Sequence, residues 1–148
     1  MSSAGLIGQH DPELRVFLAG LDAAHQRAAA RAIAERAVSE FHLTDTLTDQ
    51  ALAALSEGAV VSAEIRARLE KSVEDLDEAY FNLQDEVGDV PGREAEISHL
   101  FRRARAMASL QFACAEDAAD AVFDATYEGM HALGVHLGEV RKAVGFES

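Results

Sequence analysis

With 148 residues, 49% of them hydrophobic, the chain is long enough for one domain with a real core and too apolar to be disordered. Its net charge of −13 argues against nucleic acid and anionic membrane as partners, since both repel an acidic surface. The lone cysteine, Cys114, excludes an intramolecular disulfide and favours a reducing compartment. The first residues show no signal-peptide pattern, so we expect a cytoplasmic protein. Its basic residues are mostly arginine, which gives the chain a bacterial composition.

Helical periodicity dominates the sequence, and no segment of useful length alternates with the period of two that marks a strand. We therefore expect an all-α fold, a single compact bundle of six or seven helices. Residues 1–10 are expected to form a flexible N-terminal arm, and residues 11–146 a single helical domain.

Capping residues place the first two predicted helices. Asp11 is a good N-cap, Pro12 suits the first turn, and Gly20 ends or bends this short helix. The second helix begins after Asp22 and runs to about His42. It is rich in alanine, which predicts close approach of a neighbouring helix as well as high helix propensity.

A third helix is expected to begin at Thr46 or Thr48 and to stop at Gly58. Ser62 opens a fourth, whose apolar stripe is the most regular in the chain. That stripe consists of Ile65, Leu69, Val73, Leu76, Tyr80, Leu83 and Val87.

The remaining helices are predicted from breaks in the pattern. Pro91 begins a fifth helix, Glu116–Asp117 marks the start of a sixth, and Gly134 separates it from a last short helix over Val135–Val144.

The acidic residues are concentrated in two blocks that contain no Lys or Arg. Residues 74–89 carry seven carboxylates and residues 116–128 carry five, so these blocks hold −12 of the net charge of −13. Such a distribution favours a surface that attracts a positively charged partner. The alternative is that both blocks are solvated helix faces that serve solubility.

Phe81 lies within the first block, about 135° from the centre of the apolar stripe on an ideal helical wheel. An outward aromatic side chain among carboxylates is typical of an interface anchor. The alternative is that a second helix or the N-terminal arm covers it. The candidate partner-binding residues are Glu74, Asp77, Glu78, Phe81, Asp85, Asp120 and Asp124.

Other chemistry-bearing patterns are weaker. Glu96-x-x-His99 and Glu128-x-x-His131 have the spacing of carboxylate-bridged metal sites, but both pairs flank the apolar stripes. Cys114 lies in an apolar context that predicts an inert buried thiol. The basic cluster, formed by Arg102, Arg103 and Arg105 with Arg93 nearby, is expected to pair within the fold; the alternative is a second protein contact.

No catalytic motif is present, so we expect a non-enzymatic protein without a cofactor or metal. The leading hypothesis is an inhibitor of the immunity or antitoxin type that masks a basic toxin or nuclease. Its physical design resembles that of bacterial nuclease-immunity proteins, which are small acidic helical bundles. One alternative is a helical adaptor or regulatory domain that binds a partner helix in an apolar groove. A second is a metal-dependent enzyme built on the Glu-x-x-His pairs, and a homodimer is compatible with all three.

Overall fold

The computed structural model describes residues 2–58, 60–134 and 137–146, and over these ranges it contains helices and no strand. The helices there are α1 (Ser3–His10), α2 (Pro12–Gly20), α3 (Ala23–Glu40), α4 (Thr46–Ser56), α5 (Ala63–Val87), α6 (Glu94–Ala113), α7 (Ala118–Ala132) and α8 (Leu137–Val144). The all-α prediction is confirmed. The count of six or seven is wrong, because the described ranges hold eight helices.

The additional helix is α1, which lies where the sequence predicted an arm. The side chain of Ser2 caps it by accepting a hydrogen bond from the Gly5 backbone N–H, and Ile7 is completely buried in the core. Gly5 and Gly8 disfavour a helix, so the local pattern gave no signal there. Burial of Ile7 supplies the stabilisation that local propensity lacks.

Most helices begin at a side-chain cap. In each case a carboxylate or hydroxyl accepts a hydrogen bond from the N–H three residues ahead, which typically stabilises a helix by about 1 kcal/mol. The caps of α2, α3, α4, α5 and α7 are Asp11, Asp22, Asp45, Ser62 and Asp117. The predicted starts of α2, α3, α5 and α7 are confirmed, and α4 begins at Thr46, one of its two predicted starts. The predicted start of α6 at Pro91 is wrong, because residues 91–93 form a turn and the helix begins at Glu94. The predicted start of the last helix at Val135 lies outside the described residues.

The centre of the core is formed by α3, α6 and α7. A Cβ added to Gly129 on α7 would lie only 2.6 Å from Cγ1 of Ile33 on α3, so a glycine is required for these helices to pack this closely. The alanine-rich face of α3 is also buried, in agreement with the close approach of a neighbouring helix that its composition predicts. Its buried members are Ala29, Ala30, Ala34 and Ala37.

The long helix α5 packs against the main core mainly in its first half. Leu69 and Val73 are buried there, whereas none of residues 74–86 is fully buried. The first half of α6 is likewise without a buried residue from 94 to 103. These two halves form the α5–α6 hairpin (residues 74–103), which has its own small apolar contact and contributes little to the main core.

None of the described helices is both long enough and apolar enough to cross a bilayer.

Candidate protein-binding surface

Phe81 lies on the outward side of α5, and 57% of its surface is exposed. Glu74, Glu78 and Asp85 are exposed on the same helix, at spacings that place them within about 40° of one another around its axis. We call these four residues the α5 outer face. The expectation that a second helix or the N-terminal segment covers Phe81 is not met, since α1 packs against α2 and α7 instead.

The α5 outer face is electrostatically negative. Lys71, the nearest cation along the helix, binds Asp75 at 2.7 Å, and that hydrogen bond is the main reason its pKa is raised. Glu74 and Glu78 add smaller contributions to the same shift. In the part of the chain that the structure describes, Glu74, Glu78 and Asp85 form no ion pair of their own.

Asp77 differs from its neighbours because it turns toward α6. Its two carboxylate oxygens accept hydrogen bonds from Nη2 of Arg105 at 2.7 and 2.8 Å. The other terminal nitrogen, Nη1, donates to Glu128 on α7 at 3.0 Å. Arg105 therefore joins the two acidic blocks. This is the pairing within the fold that was expected of the arginine cluster. Asp77 holds α5 against α6, which leaves it less available to a partner than the α5 outer face.

Asp120 and Asp124 lie on α7, apart from the α5 outer face. Asp120 is exposed in the first turn, where its backbone N–H donates to the capping carboxylate of Asp117. Asp124 is half-buried one turn later, and Glu128 follows after another turn. The spacing of four residues aligns the three carboxylates along one side of α7. In the described residues they meet the α5 block only through Glu128 and Arg105.

A row of aromatic rings connects the hairpin to α7, and sequence reasoning missed it. The ring of Tyr80 lies 5.1 Å from Phe81 and 5.4 Å from Phe101 on α6. Phe101 lies 6.3 Å from His131, which in turn is 4.7 Å from Tyr127. Tyr80 belonged to the predicted apolar stripe, but nothing in the sequence indicated that its partners come from three helices. The row places Phe81 at the edge of a packed aromatic cluster.

The Glu-x-x-His pairs do not converge. Glu96 binds Arg93 at 2.6 Å, and Glu128 binds Arg105, so each glutamate is engaged by an arginine. Burial is the main cause that lowers the pKa of His131, although Glu128 opposes it. Within the described ranges no three His, Cys, Asp or Glu side chains are placed to share a metal ion.

Cys114 is buried, as predicted, and its Sγ donates a hydrogen bond to the Leu110 carbonyl at 3.3 Å. Burial raises the pKa of this thiol to about 11, against a smaller lowering by Arg66. The protonated form therefore predominates at neutral pH, which disfavours a role as a nucleophile.

Comparisons with protein-family models, with curated proteins and with solved structures found no match to this chain. The surface itself is therefore the basis for inferring a function.

Proposed function

We propose that this protein is a non-enzymatic inhibitor of the immunity or antitoxin type, which binds and masks a basic protein such as a toxin or nuclease. The observation that carries the proposal is the exposed Phe81 among carboxylates that, within the described ranges, lack internal cation partners. The single unpaired cysteine and the composition support a bacterial, cytoplasmic setting for this role.

The charge of the α5 outer face selects the class of partner. Three exposed carboxylates share the α5 outer face with Phe81, and the local cation Lys71 is engaged with Asp75. Such a surface repels phosphates and attracts arginines and lysines, so a basic protein is favoured and nucleic acid is not. Long-range attraction of this kind raises the association rate more than it lowers the dissociation rate.

Phe81 supplies the apolar contact that charge alone lacks. An aromatic ring buried at the centre of an interface commonly contributes about 2 kcal/mol or more, roughly a 30-fold change in affinity. The carboxylates around it are then partly shielded from water when the partner docks, which strengthens their pairing with the partner's cations. A single helix thus supplies both the central apolar anchor, Phe81, and the charged residues at the rim of the interface.

The α5–α6 hairpin also favours recognition by this face. Its backbone is regular helix on both sides of the turn at residues 88–93, and Arg105 together with Tyr80 and Phe101 holds it in place. Partner binding therefore requires little ordering of the backbone, which keeps the entropic cost of association low.

Affinity capture from the source cell tests the proposal. The wild-type protein and the variant Phe81→Ala serve as baits, with Val90→Ala as the matched control, since Val90 is another exposed apolar residue of the hairpin region. We expect one basic protein on the wild-type and Val90→Ala baits, released between about 50 and about 500 mM salt, and lost from Phe81→Ala.

Two charge-reversal variants make the test more specific. Glu78→Lys reverses a charge on the α5 outer face, and Glu57→Lys makes the same change at an exposed position after α4. Only Glu78→Lys should slow association with the captured protein. Co-expression of the wild-type protein should also relieve the toxicity or nuclease activity of that partner. Retention of the partner by Phe81→Ala and Glu78→Lys alike would overturn the proposal, and salt-independent binding would favour the helical adaptor instead.

A further inference from the structure

A second surface, which is apolar where the α5 outer face is acidic, surrounds Val16 on α2. Val16 is 71% exposed, and Pro12 and Ala19 are exposed on the same helix. The half-buried ring of Phe17 stacks on Phe146 at 4.7 Å beside them. We call these five residues the α2 patch. An exposed apolar patch of this kind is typical of a contact site rather than of plain solvated surface.

The shape of the α2 patch is that of a ridge between two grooves. One open cleft is lined by Pro12, Glu13, Val16, Phe17 and Phe146, and a second by Gly8, Pro12, Arg15, Val16 and Ala19. Val16 and Pro12 belong to both clefts, so they form the wall that separates them. A ridge adjoining a groove is the arrangement that a two-fold axis can pair with itself, each ridge entering the partner's groove.

The α2 patch lies among charges that balance, and this favours a second copy of the chain as its occupant. Among the residues that the structure describes, the charged side chains that line its clefts are Glu13 and Arg15. Beside them Asp11 and Arg141 bind each other at 2.7 Å, with the Arg141 guanidinium over the ring of Phe146. These four side chains sum to zero, in a chain whose net charge is −13. Two copies of this protein repel one another wherever their acidic blocks meet, and a neutral apolar face avoids that repulsion.

We propose that the α2 patch is the interface of a symmetric homodimer, with Val16 of each copy seated in the cleft of the other. The α5 outer face stays open, because α2 packs on α1 and α7 whereas α5 packs on α6 and α4. The dimer therefore presents two copies of that face, and this inference does not depend on what the face binds.

Sedimentation equilibrium of the full chain at about 5 to about 500 µM tests the dimer, because self-association follows mass action. Val16→Glu is compared with Val60→Glu, which adds the same charge at a valine that is 83% exposed between α4 and α5. Wild type and Val60→Glu should dimerise with the same dissociation constant. Val16→Glu should raise that constant by about tenfold or more.

Two further measurements separate loss of the α2 contact from loss of the fold and from simple charge repulsion. Ala19→Arg adds a charge of the opposite sign to the α2 patch, and it should weaken the dimer as well, while circular dichroism shows that both variants keep the fold. Added salt should strengthen the dimer, since it screens repulsion between acidic copies, whereas it should weaken binding of a basic partner. A monomeric wild type over the whole concentration range, or Val16→Glu that dimerises like wild type, would overturn the proposal.

Discussion

Asp77 and Arg105 form a two-pronged ion pair, with both carboxylate oxygens 2.7 to 2.8 Å from one guanidinium nitrogen, where the α5–α6 hairpin leaves the main core. Arg105 is only 17% exposed, and its second nitrogen binds Glu128 on α7. A single guanidinium thereby holds three helices together. The hairpin depends on this contact because it has few buried apolar residues of its own.

Removal of Arg105 should therefore destabilise the protein. Arg105→Ala leaves Asp77 and Glu128 close together without their shared cation, and we expect a loss of about 2–3 kcal/mol in the free energy of unfolding, less than for a fully buried pair. Arg93→Ala, which breaks an exposed pair with Glu96, should have a much smaller effect. Urea unfolding measures both, and equal losses would contradict the bridging role.

Phe81 should contribute little to stability, since most of its ring is exposed. We expect Phe81→Ala to lower the free energy of unfolding by less than about 1 kcal/mol. On the same helix, Leu69 is completely buried, and Leu69→Ala should cost about 2–5 kcal/mol. Thermal and urea unfolding of the two variants compare them directly. A large loss for Phe81→Ala would show that the ring is covered in solution.

Gly129→Ala should be strongly unfavourable, although alanine is the better helix former. The added Cβ would lie 2.6 Å from Ile33, and relief of that overlap costs about 1–3 kcal/mol. Gly138→Ala makes the same change in α8, where no atom lies within 4 Å, and should be neutral or stabilising by up to about 1 kcal/mol. Adding Ile33→Ala to Gly129→Ala should give a smaller combined loss than the sum of the single variants.

Acid should weaken the contact between Asp11 and Arg141. The hydrogen bond from Arg141 is the main cause that lowers the pKa of Asp11 below its ordinary value, against partial opposition by burial. When the pKa of a carboxyl is lower in the folded state than in the unfolded state, its ionised form stabilises the fold. That stabilisation is fully present above the pKa of the unfolded state and is lost as the pH falls through the pKa of the folded state. Stability from this pair should thus be constant near neutrality and decline below about pH 4.

The variant Asp11→Asn separates charge from capping, because asparagine caps a helix as well as aspartate does. It should be less stable than wild type at pH 7, and the difference should shrink below about pH 3. Asp22→Asn provides the control, since the pKa of Asp22 is also lowered but its partner His25 is exposed. A difference for Asp11→Asn that is independent of pH would rule out the charged pair as its source.

Local features of this fold follow from the sequence, and long-range ones do not. Asp22 and Ser62 are recognisable caps because capping involves residues three apart, and Phe81 is recognisable as outward because a helix repeats every 3.6 residues. The pair of Asp77 with Arg105 joins residues 28 positions apart. No periodicity encodes which arginine of a cluster meets which carboxylate of a block.

Helix α1 is a second case in which local sequence does not predict a feature that depends on long-range contacts. Its sequence has two glycines, and Ile7 is its one fully buried residue, so its stability comes from the pocket that receives Ile7. That pocket is assembled by later helices, and a prediction that proceeds along the chain has no access to it. The aromatic row from Phe81 to Tyr127 was missed for the same reason.

Since the outward residues of the α5–α6 hairpin contribute little to the main core, sequence changes there are nearly decoupled from folding. The molecule is in this sense divided into a scaffold, built on α3, α6 and α7, and a surface that tolerates substitution. Under the proposed function, specificity for one partner over another can be altered by a few changes along a single helix, without an accompanying loss of the fold.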